Sequence, residues 1–137
     1  MRVVLDTNVL ISGVIATGVP HELLVMGFHQ EYQIVVSVET LSEFRETLLK
    51  YPDRFHMSES EVQQEVELVR YFSEFVDPAE TITAVEADPD DDKFLEAAVA
   101  GNVDYLVSGD SHLLDLESFQ GIDIVEPRTF YDRLNAQ

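Results

Sequence analysis

The chain has no cysteine and no tryptophan, and only two of its eight basic residues are lysines, Lys50 and Lys93. Without cysteine there is no disulfide, no thiolate zinc site and no thiol nucleophile. No apolar run approaches the ~18 residues of a membrane-spanning helix and no apolar leader follows a basic start, so a cytoplasmic protein without membrane contact is expected. Eight bases against 27 acids give a formal net charge of −19. That excludes the basic stripe of a passive nucleic-acid binder. Histidine is scarce as well: His21, His29, His56 and His112 are scattered, with no pair at metal-ligand spacing on one helix. Any metal is therefore expected on oxygen ligands, which points to Mg²⁺ or Mn²⁺.

What the chain does have is apolar residues, 45% of its 137 positions. That suffices for one domain over residues 1–137, burying about two-thirds of its unfolded surface. A site needs only a handful of the 27 acids. The others read as a surface adapted to high salt, where screening removes self-repulsion, and so as a sign of a halophilic source.

Val3, Val4 and Leu5 form an unbroken apolar run, suited to a strand buried on both faces of a parallel sheet, and it ends at Asp6-Thr7-Asn8. A mixed apolar stretch over 8–16 and an interruption at Gly18-Val-Pro20 precede a short helix over 21–28 and a strand over 32–36. Ser37 reads as the N-cap of a helix to Lys50, with Val38, Leu41, Phe44 and Leu48 at helical spacing. Tyr51-Pro52-Asp53 breaks it. Ser58-Glu-Ser-Glu61 is a capping-box start for a helix with Val62, Val66, Val69 and Phe72 on one face. Residues 81–85 read as a third strand. Asp88-Pro89 opens the next helix and Gly101 ends it. Tyr105 to Val107 is a strand running into Ser108-Gly-Asp110, and Ile122 to Val125 is the last strand before a closing helix from Pro127. This alternation predicts an α/β domain of three α/β/α layers around a central, mostly parallel sheet of about five strands.

Ligands of such sheets bind beyond the carboxyl ends of the strands, where Asp6 stands. Taken alone, Asp6 serves equally as a turn cap. Asp88-Pro-Asp-Asp-Asp92 puts more acid at a helix start than capping by Asp88 and Asp91 requires, and the surplus favours a bound cation. Ser108-Gly-Asp110 repeats the logic of Asp6. Asp104 begins its strand and belongs at the opposite edge. Glu43 falls opposite the apolar stripe of its helix, beside Glu39 and Glu46, and reads as solvated face. Carboxylates converging at one edge cannot all stay ionised. A divalent ion resolves this and suits phosphodiester hydrolysis. No Ser-His-Asp set, phosphate loop or dinucleotide fingerprint competes.

In order and spacing, Val3-Val-Leu-Asp-Thr-Asn-Val-Leu10, Glu43 within Leu41-Ser-Glu-Phe-Arg-Glu46, Asp88-Pro-Asp-Asp-Asp-Lys-Phe-Leu-Glu96 and Asp104-Tyr-Leu-Val-Ser-Gly-Asp110 resemble the PIN-domain ribonuclease family. The resemblance covers essentially the whole chain. The break at Lys50-Tyr-Pro-Asp-Arg-Phe55 and the closing segment from Pro127 to Phe130 are similar to single-domain prokaryotic toxins of toxin–antitoxin systems. The family implies Asp6, Glu43, one of Asp91 and Asp92, and Asp110 as catalytic acids binding Mg²⁺ or Mn²⁺. Asp92 stands slightly ahead of Asp91, and Asp88 is a weaker candidate. Asn8 and Ser108 match the polar positions that hold those acids. The implied activity is a metal-dependent endoribonuclease, with in-line attack of metal-activated water leaving a 5′-phosphate and a 3′-hydroxyl. Single-stranded or loop RNA is the expected substrate, a small antitoxin over the acid cluster the expected partner, and homodimerisation is common in such proteins. Arg45, Lys50 and Arg54 are the local cations for phosphate contact.

Other classes fit less well. A haloacid-dehalogenase-type phosphatase has a second Asp two residues after the first, where this chain has Asn8. A response-regulator receiver has a Lys after its last strand, where this chain has Glu126-Pro127. A binding-only PIN fold, catalytically silent, would not need the filled acid positions.

Overall fold

In the computed structural model, which describes residues 1–50 and 56–136, the opening apolar run forms β1 (Arg2–Leu5) at the middle of the sheet. It is followed by α1 (Thr7–Ile15), α2 (Val19–Phe28), β2 (Gln33–Val36), α3 (Val38–Lys50), α4 (Glu59–Phe72) and β3 (Ser73–Phe75). A 3₁₀ turn (Pro89–Asp91) then leads into α5 (Asp92–Ala100), β4 (Tyr105–Val107), α6 (Ser111–Leu114), β5 (Ser118–Phe119), β6 (Ile122–Val125) and α7 (Pro127–Asn135). The expected break at Tyr51-Pro52-Asp53 and the cation Arg54 lie outside the described residues. Among the described residues, no single helix is long and apolar enough to cross a membrane.

The sheet has the order β3-β2-β1-β4-β6-β5. Every neighbouring pair is parallel except the edge hairpin of β5 and β6. Six strands replace the expected five because of that two-residue edge strand. Strand alternation divides the core by face. Val3, Leu5, Ile34 and Val36 pack with Leu23, Phe44, Leu48, Val69 and Phe130, while Val4, Val35 and Leu106 pack with Phe94, Leu95, Ala98 and Leu113. Each such Val, Leu, Ile or Phe side chain, fully buried, contributes roughly 1.5–3 kcal/mol. Helices therefore cover both faces, which is the three-layer arrangement.

The third strand is a correction. Residues 81–85 are not a strand. They run beside α5, whose carboxylates take the place of a neighbouring strand: Glu96 Oε2 accepts from Ile82 N at 2.9 Å, and Asp92 Oδ1 from Ala84 N at 3.1 Å and Val85 N at 2.8 Å. Ile82 and Val85 are buried, which is the apolar signal that resembles a strand in sequence. The strand that pairs with β2 is instead Ser73–Phe75, directly after α4, in register Ile34↔Ser73 to Val36↔Phe75.

From β1 the chain builds β2 and β3 on one side, then returns to lay β4 and β6 on the other. The gap between the ends of β1 and β4 is thus the topological switch point, where open α/β sheets bind ligands. The two strands are tied there by Asp6 N donating to Val107 O at 3.0 Å.

Candidate functional site

The residues just past β1 and β4 build this point. Asp6 N-caps α1, its Oδ1 accepting from Val9 N at 2.9 Å. Its Oδ2 accepts from the Ser108 hydroxyl beyond β4. Ser108 Oγ also accepts from Asp110 N at 2.9 Å, and Asp110 Oδ1 accepts from His112 N at 2.8 Å to cap α6. The cap and site readings of Asp6 are therefore compatible: the cap aims the carboxylate. Asp6 is only 3% exposed. Burial raises its pKa above the ordinary 3.8, the Ser108 hydroxyl and Val9 amide oppose that rise, and the charges of Asp110 and Glu43 add to it.

If the 88–92 run served only as a cap, its carboxylates would be tied to backbone amides. Asp88 and Asp91 occupy N-cap positions yet make no side-chain capping bond. Asp91 Oδ2 is buried with no hydrogen-bond partner. One ligand atom from each of Asp88, Asp91, Asp110 and His112 lies within 4.8 Å of the others. The Asp91 carboxyl is pushed up to about 7 by burial first, then by the Asp110 carboxyl and the charges of Asp88 and Asp6. Clustered acids of this kind are stable only when protonated or neutralised by a cation. The orphaned Asp91 oxygen among carboxylate donors fits a divalent ion such as Mg²⁺ or Mn²⁺.

Asp92, which the sequence puts slightly ahead of Asp91, is not one of these four gathered residues. It is 7% exposed, and its Oδ1 fastens the 84–85 amides. Asp91 ends the 3₁₀ turn and Asp92 begins α5, so the two neighbouring side chains meet different surroundings. Glu43 is not one of the four gathered residues. It sits half-buried on α3, ion-paired to Lys93, near enough for its charge to raise Asp6. Asn8 is exposed, and among the described residues its side chain holds none of the acids. Asp104 accepts from Arg2 N at 2.9 Å, at the far edge.

Sequence reasoning missed two residues. His112 counts in the sequence only as one of four scattered histidines, and its signal is its place two residues after Asp110. Lys93 follows the acid run directly and is one of only two lysines. Both lysines, with Ser42, Glu43, Thr47 and Asp90, line a polar groove of about 380 Å³.

A search of curated proteins finds no match to this chain. The sequence profile of the PIN domain, a nuclease-type fold, matches residues 2–112, a span that takes in Asp6, Glu43, Asp88, Asp91, Asp110 and His112. With the parallel sheet and the acid cluster at its switch point, this match places the chain in the PIN-domain family.

Proposed function

We propose that the protein is a Mg²⁺- or Mn²⁺-dependent endoribonuclease. The observation that carries this reading is the state of Asp88 and Asp91: neither carboxylate is spent on capping, and both are gathered with Asp110 at the sheet's carboxyl edge. Asp91 and Asp110 would hold the ion, with Asp88 as a further carboxylate of the group. When bound, the ion lowers the pKa of water and neutralises charge developing on the phosphoryl oxygens. Asp6, fixed by Ser108 and Val9, would orient the attacking water. Glu43, steadied by Lys93 at the edge of the groove, takes the proton.

RNA with a free backbone, single-stranded or looped, reaches a recessed cluster more readily than a duplex does. The net charge of −19 repels it at low ionic strength, and salt relieves that repulsion. The similarity to single-domain prokaryotic toxins extends the proposal to a cytoplasmic toxin neutralised by a small antitoxin. Growth arrest on expression, absent for Asp6→Asn, is the expected behaviour; normal growth with active enzyme would count against that extension.

The test is incubation of RNA with purified protein and Mn²⁺ at low and high KCl, beside Asp6→Asn. Wild-type cleavage leaving 5′-phosphates, lost in Asp6→Asn, supports the proposal. Equal cleavage by both proteins, or none by wild type, overturns it and leaves a binding module.

A further inference from the structure

We propose that His112 is a nitrogen ligand of the divalent ion, so that this site selects a first-row transition ion such as Mn²⁺ over Mg²⁺. The inference rests on the metal-dependent reading above and deepens it.

The acids at the switch point come from three places in the chain, and each is accounted for by the fold's logic of strand ends and helix starts. The imidazole is not. His112 is the second residue of α6, and its backbone N–H already donates to Asp110, the N-cap of that helix. Its ring reaches back over the same carboxylate, with Nδ1 3.6 Å from Asp110 Oδ1. That separation is too long for a hydrogen bond, and among the described residues the ring makes none. A ring nitrogen nonetheless lies within 4.8 Å of one oxygen each from Asp88, Asp91 and Asp110. Asp91, a member of this same group, also keeps a buried Oδ2 without a hydrogen-bond partner. A ring nitrogen without a hydrogen bond, grouped with a carboxylate that keeps one oxygen unpartnered, is the arrangement a shared cation satisfies.

The chemistry of the donors then decides which cation. Mg²⁺ keeps oxygen ligands and water and gives up hydration reluctantly. Imidazole suits first-row transition ions, while carboxylates accept Mn²⁺ as readily as Mg²⁺. Three carboxylates and one imidazole therefore favour Mn²⁺ over Mg²⁺ more than carboxylates alone would. The ring is also half-exposed, with a side-chain accessibility of 47%, so removing it leaves the core intact.

The test reads the metal rather than RNA cleavage. Mn²⁺ is added to full-length wild type, His112→Ala and His112→Gln, and pulsed electron paramagnetic resonance looks for coupling to a directly bound ¹⁴N. Competition with Mg²⁺ gives the affinity ratio in each protein. The expected result is imidazole coupling in wild type, lost in both variants, with the Mn²⁺-over-Mg²⁺ preference falling about tenfold. Tight Mn²⁺ binding without nitrogen coupling, or an unchanged ratio in His112→Ala, overturns the assignment while leaving the metal-dependent reading intact. Failure of wild type to bind either ion overturns both.

Discussion

Asp91 and Asp92 are adjacent acids with opposite fates, and the contrast sets the pH behaviour of the site. The folded pKa of Asp91 is raised to about 7, above its unfolded value near ~3.9. Its protonated form is the one the metal-free fold favours. The stability it contributes is complete below about pH 4 and is lost as pH rises through about 7. Without metal, thermal midpoints should fall between about pH 5 and about pH 8 more steeply for wild type than for Asp91→Asn. Saturating Mn²⁺ should remove most of that difference, and parallel curves would show that Asp91 is not a stressed acid. Ser108 serves both Asp6 and Asp110, so Ser108→Ala should cost roughly 1–3 kcal/mol in denaturant melts. Lys93→Met frees Glu43 and should lower kcat about tenfold or more with KM little changed. Lys93→Arg should recover most of the rate, because the ion pair can re-form. At this scale the sequence was legible where a residue stood at a strand end, as Asp6 and Asp110 do. It was not legible for Glu43, which faces away from its helix's apolar stripe and enters the site only through α3's placement beside α5.

Elements are held by short devices, some local and some not. The Ser58–Glu61 capping box is local: both of its hydrogen bonds, each 3.1 Å, join residues three apart, so pattern alone locates the start of α4. The 81–85 segment is the opposite case. Its apolar residues resemble a strand, but its amides are satisfied by Asp92 and Glu96, 7 to 14 residues further on, and no spacing rule announces that. Asp92→Ala should leave the Ala84 and Val85 amides without partners and destabilise the fold by roughly 1–3 kcal/mol, measured by urea melts, while Mn²⁺ binding persists. A second close fit ties α2 to the sheet. A Cβ on Gly27 would meet Ile34 Cδ1 at 2.6 Å, so Gly27→Ala should cost about 1–3 kcal/mol through overpacking. No loss in that variant would mean that Ile34 moves aside.

For the whole molecule, topology converts scattered acids into a centre. β1 and β4 are neighbours in the sheet although about a hundred residues separate Val3 from Tyr105 in sequence. The α/β class and parallel sheet were readable from alternating apolar runs and helix starts, whereas the edge hairpin of β5 and β6 is too short to leave a pattern. Charge acts at this scale too. With a net −19, self-repulsion weakens as salt screens it, so midpoints of thermal unfolding should climb steadily with KCl; full stability at low ionic strength would contradict a salt-adapted surface. On the proposed reading, Asp91, and not Asp92, joins Asp110 in a metal-dependent nuclease centre. Mn²⁺-supported RNA cleavage by wild type, Asp91→Asn and Asp92→Asn, each shown to be folded, tests it most directly. The expected loss is about a hundredfold or more in Asp91→Asn and less than about tenfold in Asp92→Asn; the reverse order, or equal rates for wild type and Asp91→Asn, would contradict that assignment.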